Sequence, residues 1–260
     1  MTSFRRYRDL PGLRITGKSG DCFNPSYRDR YSCPYCRPPR YTLSYKGIPF
    51  KTEWIEYPNI EGKLKEMGIG PTSTKNDGRP HYTLPAIYDP NTDTGIADSY
   101  HIARYLDKTY PDTPRVIPQG TEVLQNVSIF NHCLGPTPVW YMIILPSHAI
   151  LTPRSAEYMR RTREEMFGRK LEDMVPKDKA EAWNQIKAGY DKLDKLLQLG
   201  NGPYVMGNTV SFQDFDVASY TLWLRRILGE ESEEWKNIIN WNDGRWGRLI
   251  EGFRKYEKLD

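Results

Sequence analysis

Residues 32–36 read "SCPYC", which places Cys33 and Cys36 on either side of Pro34 and Tyr35. Two thiols at this spacing suit thiol–disulfide chemistry: one attacks as the thiolate, and the other resolves the mixed disulfide that forms. The thiolate needs a helix N-terminus or nearby cations to stabilise it. A helix capped by Cys33 would carry Pro38 and Pro39 in its second turn. There each proline removes an N–H and crowds the carbonyl four residues back, at roughly 3 kcal/mol or more inside a helix. The helix is therefore expected to start later, with Pro38 at its first helical position, CPYC in a loop, and Arg37 and Arg40 as the nearby cations. No metal site is expected: Cys22 and Cys133 do not extend the pair to zinc-ribbon spacing, and His81, His101, His132 and His148 are scattered. His132 and Cys133 are neighbours that would point apart on a helix, so both read as core or interface residues.

The 260 residues suffice for one large domain or two ordinary ones, and for a sizeable core. Four cysteines do not make a disulfide framework, no apolar run approaches membrane-spanning length, and "MTSFRRYRDLPGLR" lacks the apolar stretch of a secretory signal. A reducing cytoplasmic setting is expected, in which the sequon at Asn126 is a chance match. The net charge of +4 is uneven, because residues 1–40 hold nine Lys/Arg against three Asp/Glu. That excess lacks a recognition motif, so it reads as a solvated extension and no nucleic-acid partner is expected.

Residues 41–110 alternate between the two periodicities. "YTLSYKG" is a short helical piece ending at Gly47, "FKTEWIEY" alternates like a strand, and "HYTLPAIYD" is a second strand interrupted by Pro85. "PNTDTG" has turn chemistry, and "DSYHIARYLDKTYP" then forms an amphipathic helix that stops before Pro111. "LRIT" is the best candidate for an earlier strand. The proline-rich stretch 111–120 reads as a linker, and beyond it the pattern is helical. Trp183, Ile186, Tyr190, Leu193 and Leu197 make one apolar stripe, with Gly200 and Gly202 available to end the helix, and Tyr158, Met166 and Leu171 make another. In "NTVSFQDFDVA", Ser211 and Asp214 have capping-box spacing, with Val210 and Phe215 placed as a hydrophobic staple.

This order of CPYC, a strand holding "TLP", "DSYHIARYL", and a helical half with a capping box resembles the cytosolic glutathione transferases over residues 33–255. "RYTLSYKGIPFKTEWIEYPNIE", "PTSTKNDGRPHYTLPAIYDP" and "RSAEYMRRTREEMFG" look more narrowly like the fungus-specific transferases related to bacterial β-etherases. The resemblance implies a two-domain fold, α+β followed by all-α. Residues 1–32 would be a basic extension in which the first strand is left open. A thioredoxin-like glutathione-binding domain would cover 33–110, a linker 111–120, and an all-helical bundle 121–260. It also implies a cis-proline at Pro85 that turns the Leu84 backbone toward the cysteinyl part of glutathione. Asp98 and Ser99 would hold the γ-glutamyl group at a helix start, although "DS" by itself is also an ordinary N-cap. Cys33, followed by Pro34, stands where these fungal enzymes carry serine. The serine donates to the glutathione thiolate, whereas a cysteine can itself form a mixed disulfide, with Cys36 to resolve it. Trp140 and Tyr141, on the first long helix of the bundle, could line a pocket for flat hydrophobic molecules; core packing or a dimer contact is an equal reading.

The expected function is a glutathione S-transferase, with glutathione as co-substrate, acting on hydrophobic aromatic electrophiles or ethers as a homodimer. Two alternatives stay open. One is a thiol transferase with Cys33 as nucleophile. The other is a non-catalytic fold that carries aromatic ligands.

Overall fold

The computed structural model describes residues 12–18, 36–135 and 137–257. The "LRIT" segment forms β1 (Leu13–Lys18), which runs parallel to β2 (Phe50–Ile55) and antiparallel to β5 (Ala86–Asp89); β6 (Thr94–Ala97) closes the sheet beside β5. The strand order is β2-β1-β5-β6. The sheet thus takes in residues from the stretch 1–32 that was expected to be an extension. A central strand usually reads as an apolar run, and β1 meets this with buried Leu13 and Ile15. Its polar residue is also accommodated. The buried Thr16 hydroxyl donates to the Ala86 carbonyl and accepts the Ala86 N–H, both at 2.9 Å.

Helix α1 (Arg37–Lys46) begins with Cys36 as its N-cap and a proline in its first turn, and ends at Gly47 with φ 69°. The start is late, as Pro38 and Pro39 require, but the first helical residue is Arg37 and Pro38 follows it in the first turn; the left-handed exit is one that glycine adopts without penalty. Helix α2 (Ile60–Glu66), the short pair β3 (Ser73–Thr74) and β4 (Pro80–His81), and helix α3 (Ser99–Thr109) complete this half. Lys46 joins α1 to α3 and to the linker: its side chain is fully buried, and Nζ donates to Asp107 Oδ1 at 2.6 Å and to the Pro114 carbonyl at 2.9 Å. Asp107 in turn accepts the N–H groups of Val116 and Ile117.

The second half contains α4 (Glu122–Gln125), α5 (Ile129–Leu134), α6 (Thr137–Ala149), α7 (Pro153–Phe167), α8 (Lys179–Leu199), α9 (Phe212–Leu228) and α10 (Glu233–Phe253). The α8 stripe forms as its periodicity predicts, with Ile186, Tyr190, Leu193 and Leu197 buried in the main core. Gly200 leaves α8 in right-handed geometry, and the left-handed residue is Asn201 at φ 52°. Gly202 answers a different need: a Cβ there would lie 2.3 Å from the backbone of Gly207. On α7 the expected stripe shifts, because Met159 is buried while Met166 is 58% exposed; Leu171 is buried as expected.

The capping box closes on the buried Asp214. Its Oδ2 accepts the Ser211 N–H and hydroxyl, each at 2.8 Å, while Oδ1 accepts the Val205 N–H at 2.7 Å. Tyr41 and Tyr45 of α1 pack 5.7 Å from the ring of Phe215 on α9, so the helix that begins after Cys36 docks on the helical half.

Candidate active site

Leu84 and Pro85 are joined by a cis peptide bond at the entrance to β5. Because Ala86 pairs with Ala97 across β5 and β6, the residue after β6 falls beside this bond, and the Asp98 N–H donates to the Pro85 carbonyl at 3.1 Å. Asp98 is then the N-cap of α3, its Oδ1 accepting the N–H groups of Tyr100 at 2.9 Å and His101 at 3.0 Å. Its φ of 79° is left-handed for a non-glycine residue, a strained geometry that persists only where surrounding bonds hold it and that concentrates at ligand sites. Ser99 follows as the first helical residue, where main-chain N–H groups point outward. The cis-proline and the helix start, 13 positions apart in sequence, thus become one surface.

Cys36 lies in this neighbourhood. It is 3% exposed and shares a small apolar cluster with Ile55, Leu64, Leu84 and Ala86. Cys33, Pro34 and Cys22 lie outside the described residues. On the far side of α1, Glu257 accepts from the Tyr41 hydroxyl and pairs with Arg37 at 3.8 Å, which ties the C-terminal segment to the start of the helix.

A cleft of about 450 Å³ opens from Leu84 toward α7. Tyr57, Tyr82 and Tyr158 give it aromatic walls, and Lys75, His81 and Arg163 bring basic groups to it. Glu56 fixes its mouth: this carboxylate accepts from the Thr152 hydroxyl at 2.7 Å and from the Ser155 hydroxyl, while Ser155 Oγ accepts the Tyr57 N–H at 3.1 Å. The segment after β2 is thereby held to the first turn of α7. Local sequence gives no sign of this clamp, whose partners are nearly a hundred residues apart.

Trp140 and Tyr141 pack, together with Tyr57 of the cleft, against the apolar cluster of Ile144, Met159, Leu171 and Met174. Trp140 stacks on Trp223 of α9 with centroids 6.5 Å apart, whereas Tyr141 meets the edge of Phe167 and carries Arg169 at 5.2 Å over its ring. Neither lines the Leu84 cleft. Helix α6 is apolar nearly all round, so its side chains divide among several neighbours. His132 is exposed and Cys133 buried, as adjacent helical positions require, and burial pushes the Cys133 thiol up. Among the described residues no cluster of His, Cys, Asp and Glu is placed to hold a metal ion.

Comparison with known proteins agrees with this geometry. The family model for the glutathione S-transferase N-terminal domain matches residues 32–109, and that for the C-terminal domain matches residues 127–256. A glutathione S-transferase of Ceriporiopsis subvermispora, solved in complex with glutathione, is 40% identical with a TM-score of 0.87, covering 96% of this chain and 99% of that one. The glutathione transferase GSTFuA3 of Phanerochaete chrysosporium is 38% identical with a TM-score of 0.87 and the same coverage. The glutathione S-transferase-like protein ustS of Aspergillus flavus is 29% identical over 225 residues, 81% of this chain and 79% of its own. With both domains matched and a thioredoxin-like sheet leading into a helical bundle, this chain belongs to the glutathione S-transferase family.

Proposed function

We propose that the protein is a glutathione transferase that conjugates glutathione to hydrophobic aromatic electrophiles or ethers. The observation that supports this reading most is the Asp98 N–H bond to the Pro85 carbonyl, which joins a cis-proline to a strained, acid-capped helix start. In this reading the Leu84 backbone binds the cysteinyl part of glutathione. Asp98 faces the γ-glutamyl ammonium, and Ser99 with the α3 N-terminus holds the carboxylate. The glutathione thiol loses its proton to solvent, and the thiolate is stabilised near Cys33 and Pro34. Its sulfur then attacks the electrophilic carbon, a C–S bond forms, and the leaving group departs with the bonding pair, as halide from an aryl halide or as phenoxide from an aryl ether. The aromatic walls of the 450 Å³ cleft suit such a substrate, and Lys75 and Arg163 suit a carboxylate. The functional unit is a homodimer in a reducing cytoplasm.

One observation favours a second reading. Cys36 is buried in the same apolar cluster as Leu84, which supports a second thiol in the neighbourhood of the proposed site. In thiol transfer Cys33 attacks a glutathione mixed disulfide, the reduced target leaves, and Cys36 or a second glutathione resolves the enzyme-bound disulfide.

Calorimetry with glutathione, followed by kinetics of Cys33→Ser, tests both readings. A wild type that conjugates, with conjugation retained in the variant, supports the transferase; a wild type that transfers thiols without conjugating, and loses that activity in the variant, supports the second reading. Binding of an aromatic dye without glutathione binding or turnover would replace both with a ligand carrier.

A further inference from the structure

A groove of about 400 Å³ runs between α8 and α10, and it shares no residue with the Leu84 cleft. Trp183, Asn184 and Lys187 line it from α8, and Glu234, Asn237 and Trp241 from α10; spacings of three and four residues set each group on one helix face. Trp183 and Trp241 are half-buried, packed against the main core with their ring centroids 6.4 Å apart and edge to face. Trp241 also rests on the buried ring of Tyr190 at 5.5 Å. Directly after Trp241 the helix α10 is interrupted, because Asn242, Asp243 and Gly244 take left-handed φ values of 54°, 56° and 74°. Such geometry persists where surrounding bonds hold it, and it gathers at ligand sites. Here Asn242 Nδ2 donates to Asp191 Oδ1 and Asn242 Oδ1 accepts from Trp246 Nε1, each at 2.8 Å. A fixed turn, not a continuous helix, therefore sets where Trp241 stands in the groove.

The polar groups around these rings are unevenly used. Lys187 donates to Asp191 Oδ2 at 2.8 Å, and Glu233 at the rim faces Lys236 at 3.8 Å. Among the described residues Glu234 has no ion pair, and the side-chain amides of Asn184 and Asn237 have no hydrogen-bond partner. Indole rings attract cations more strongly than other aromatic side chains do. An anion would be repelled by Glu234, and a neutral aromatic would leave it uncompensated. We propose that the groove is a second small-molecule site that binds a flat heteroaromatic cation, its ring system packed on Trp183 and Trp241, its positive charge facing Glu234, and its polar substituents reaching Asn184 and Asn237. The volume falls in the range of small-molecule sites. Occupancy of this groove does not depend on the transferase reading, since the Leu84 cleft is separate from it.

The test is calorimetric titration of the full-length protein with thioflavin T, a flat cationic dye, alone and in the presence of excess S-methylglutathione. One dye should bind per chain, and neither S-methylglutathione nor the anionic dye bromophenol blue should displace it. Glu234→Lys, a substitution at an exposed position, should weaken the dye about tenfold. Trp183→Leu should weaken it about tenfold as well; if that variant does not fold, Glu234→Lys decides by itself. Absence of saturable thioflavin T binding overturns the assignment. Displacement by S-methylglutathione also overturns it, because the dye would then occupy the Leu84 cleft. Affinity unchanged in Glu234→Lys, or competition by bromophenol blue, overturns it too and would make the groove an apolar contact without selection for charge.

Discussion

At the scale of single residues, Asp216 makes a measurable statement about stability. Burial pushes its carboxyl up to about 7, opposed by the hydrogen bonds from Ser128 and the Phe130 backbone. In the unfolded chain an aspartate titrates near about 3.9. Between these values the folded protein holds a proton that the unfolded chain has released, so stability is present below about pH 4 and falls as pH rises toward 7. Asp216→Asn removes this dependence. Thermal unfolding at pH 5 and pH 7.5 should show a decline in Tm for the wild type that is smaller in the variant by on the order of 5 °C, corresponding to one or two kcal/mol in a chain of this size. An identical decline in both proteins would mean that Asp216 does not titrate in this window.

At the scale of elements, the site depends on clamps that hold α1, α3, α7 and the linker in register. The Lys46–Asp107 pair is the most buried of them, with side-chain exposures of 0% and 4%. Breaking a buried ion pair from one side leaves an uncompensated charge and is strongly destabilising, whereas replacing both partners by apolar residues can be nearly neutral. Lys46→Met is expected to lower stability by about 3–5 kcal/mol. Lys46→Met combined with Asp107→Leu should recover part of that loss, because no buried charge is then left uncompensated; the remaining penalty comes from the Val116 and Ile117 N–H groups left without their acceptor and the Pro114 carbonyl left without its donor. Denaturant midpoints of the three proteins check this. Additive losses would show that the pair contributes little as a pair. Glu56 plays the corresponding part at the cleft, where one carboxylate joins the end of β2 to the cap of α7.

At the scale of the whole molecule, the apolar surface is uneven. Val123, Leu124 and Val127 are 85%, 41% and 46% exposed, close together in sequence on α4 and the turn after it. The Tyr100 hydroxyl donates to the Glu122 carbonyl, so this patch adjoins the outer face of α3. Exposed apolar residues gathered in this way mark contact surfaces, and a second copy of the chain is the occupant expected here. Sedimentation should give a species of about twice 30.3 kDa. Val123→Glu combined with Val127→Glu should shift it to the monomer. A wild-type monomer at micromolar concentration would remove the dimer from the proposal.

The elements themselves were legible in the sequence because their signals are local. The α8 stripe, the Gly47 exit, the Ser211–Asp214 box and the late start of α1 follow from periodicity, backbone freedom and the missing proline N–H. "LRIT" could be named as a strand but not as the centre of the sheet, because its burial and the hydroxyl exchange of Thr16 with Ala86 depend on residues 70 positions away. The Leu84, Pro85, Asp98 and Ser99 set was found through family resemblance, and only the β5–β6 pairing brings these residues together. Trp140 and Tyr141 show the limit from the other side: an apolar helix declares that it is buried, not which neighbour each side chain meets. The Leu84 cleft and the Glu56 clamp were decided by tertiary structure alone, since each is made of residues from both halves whose approach no sequence period encodes.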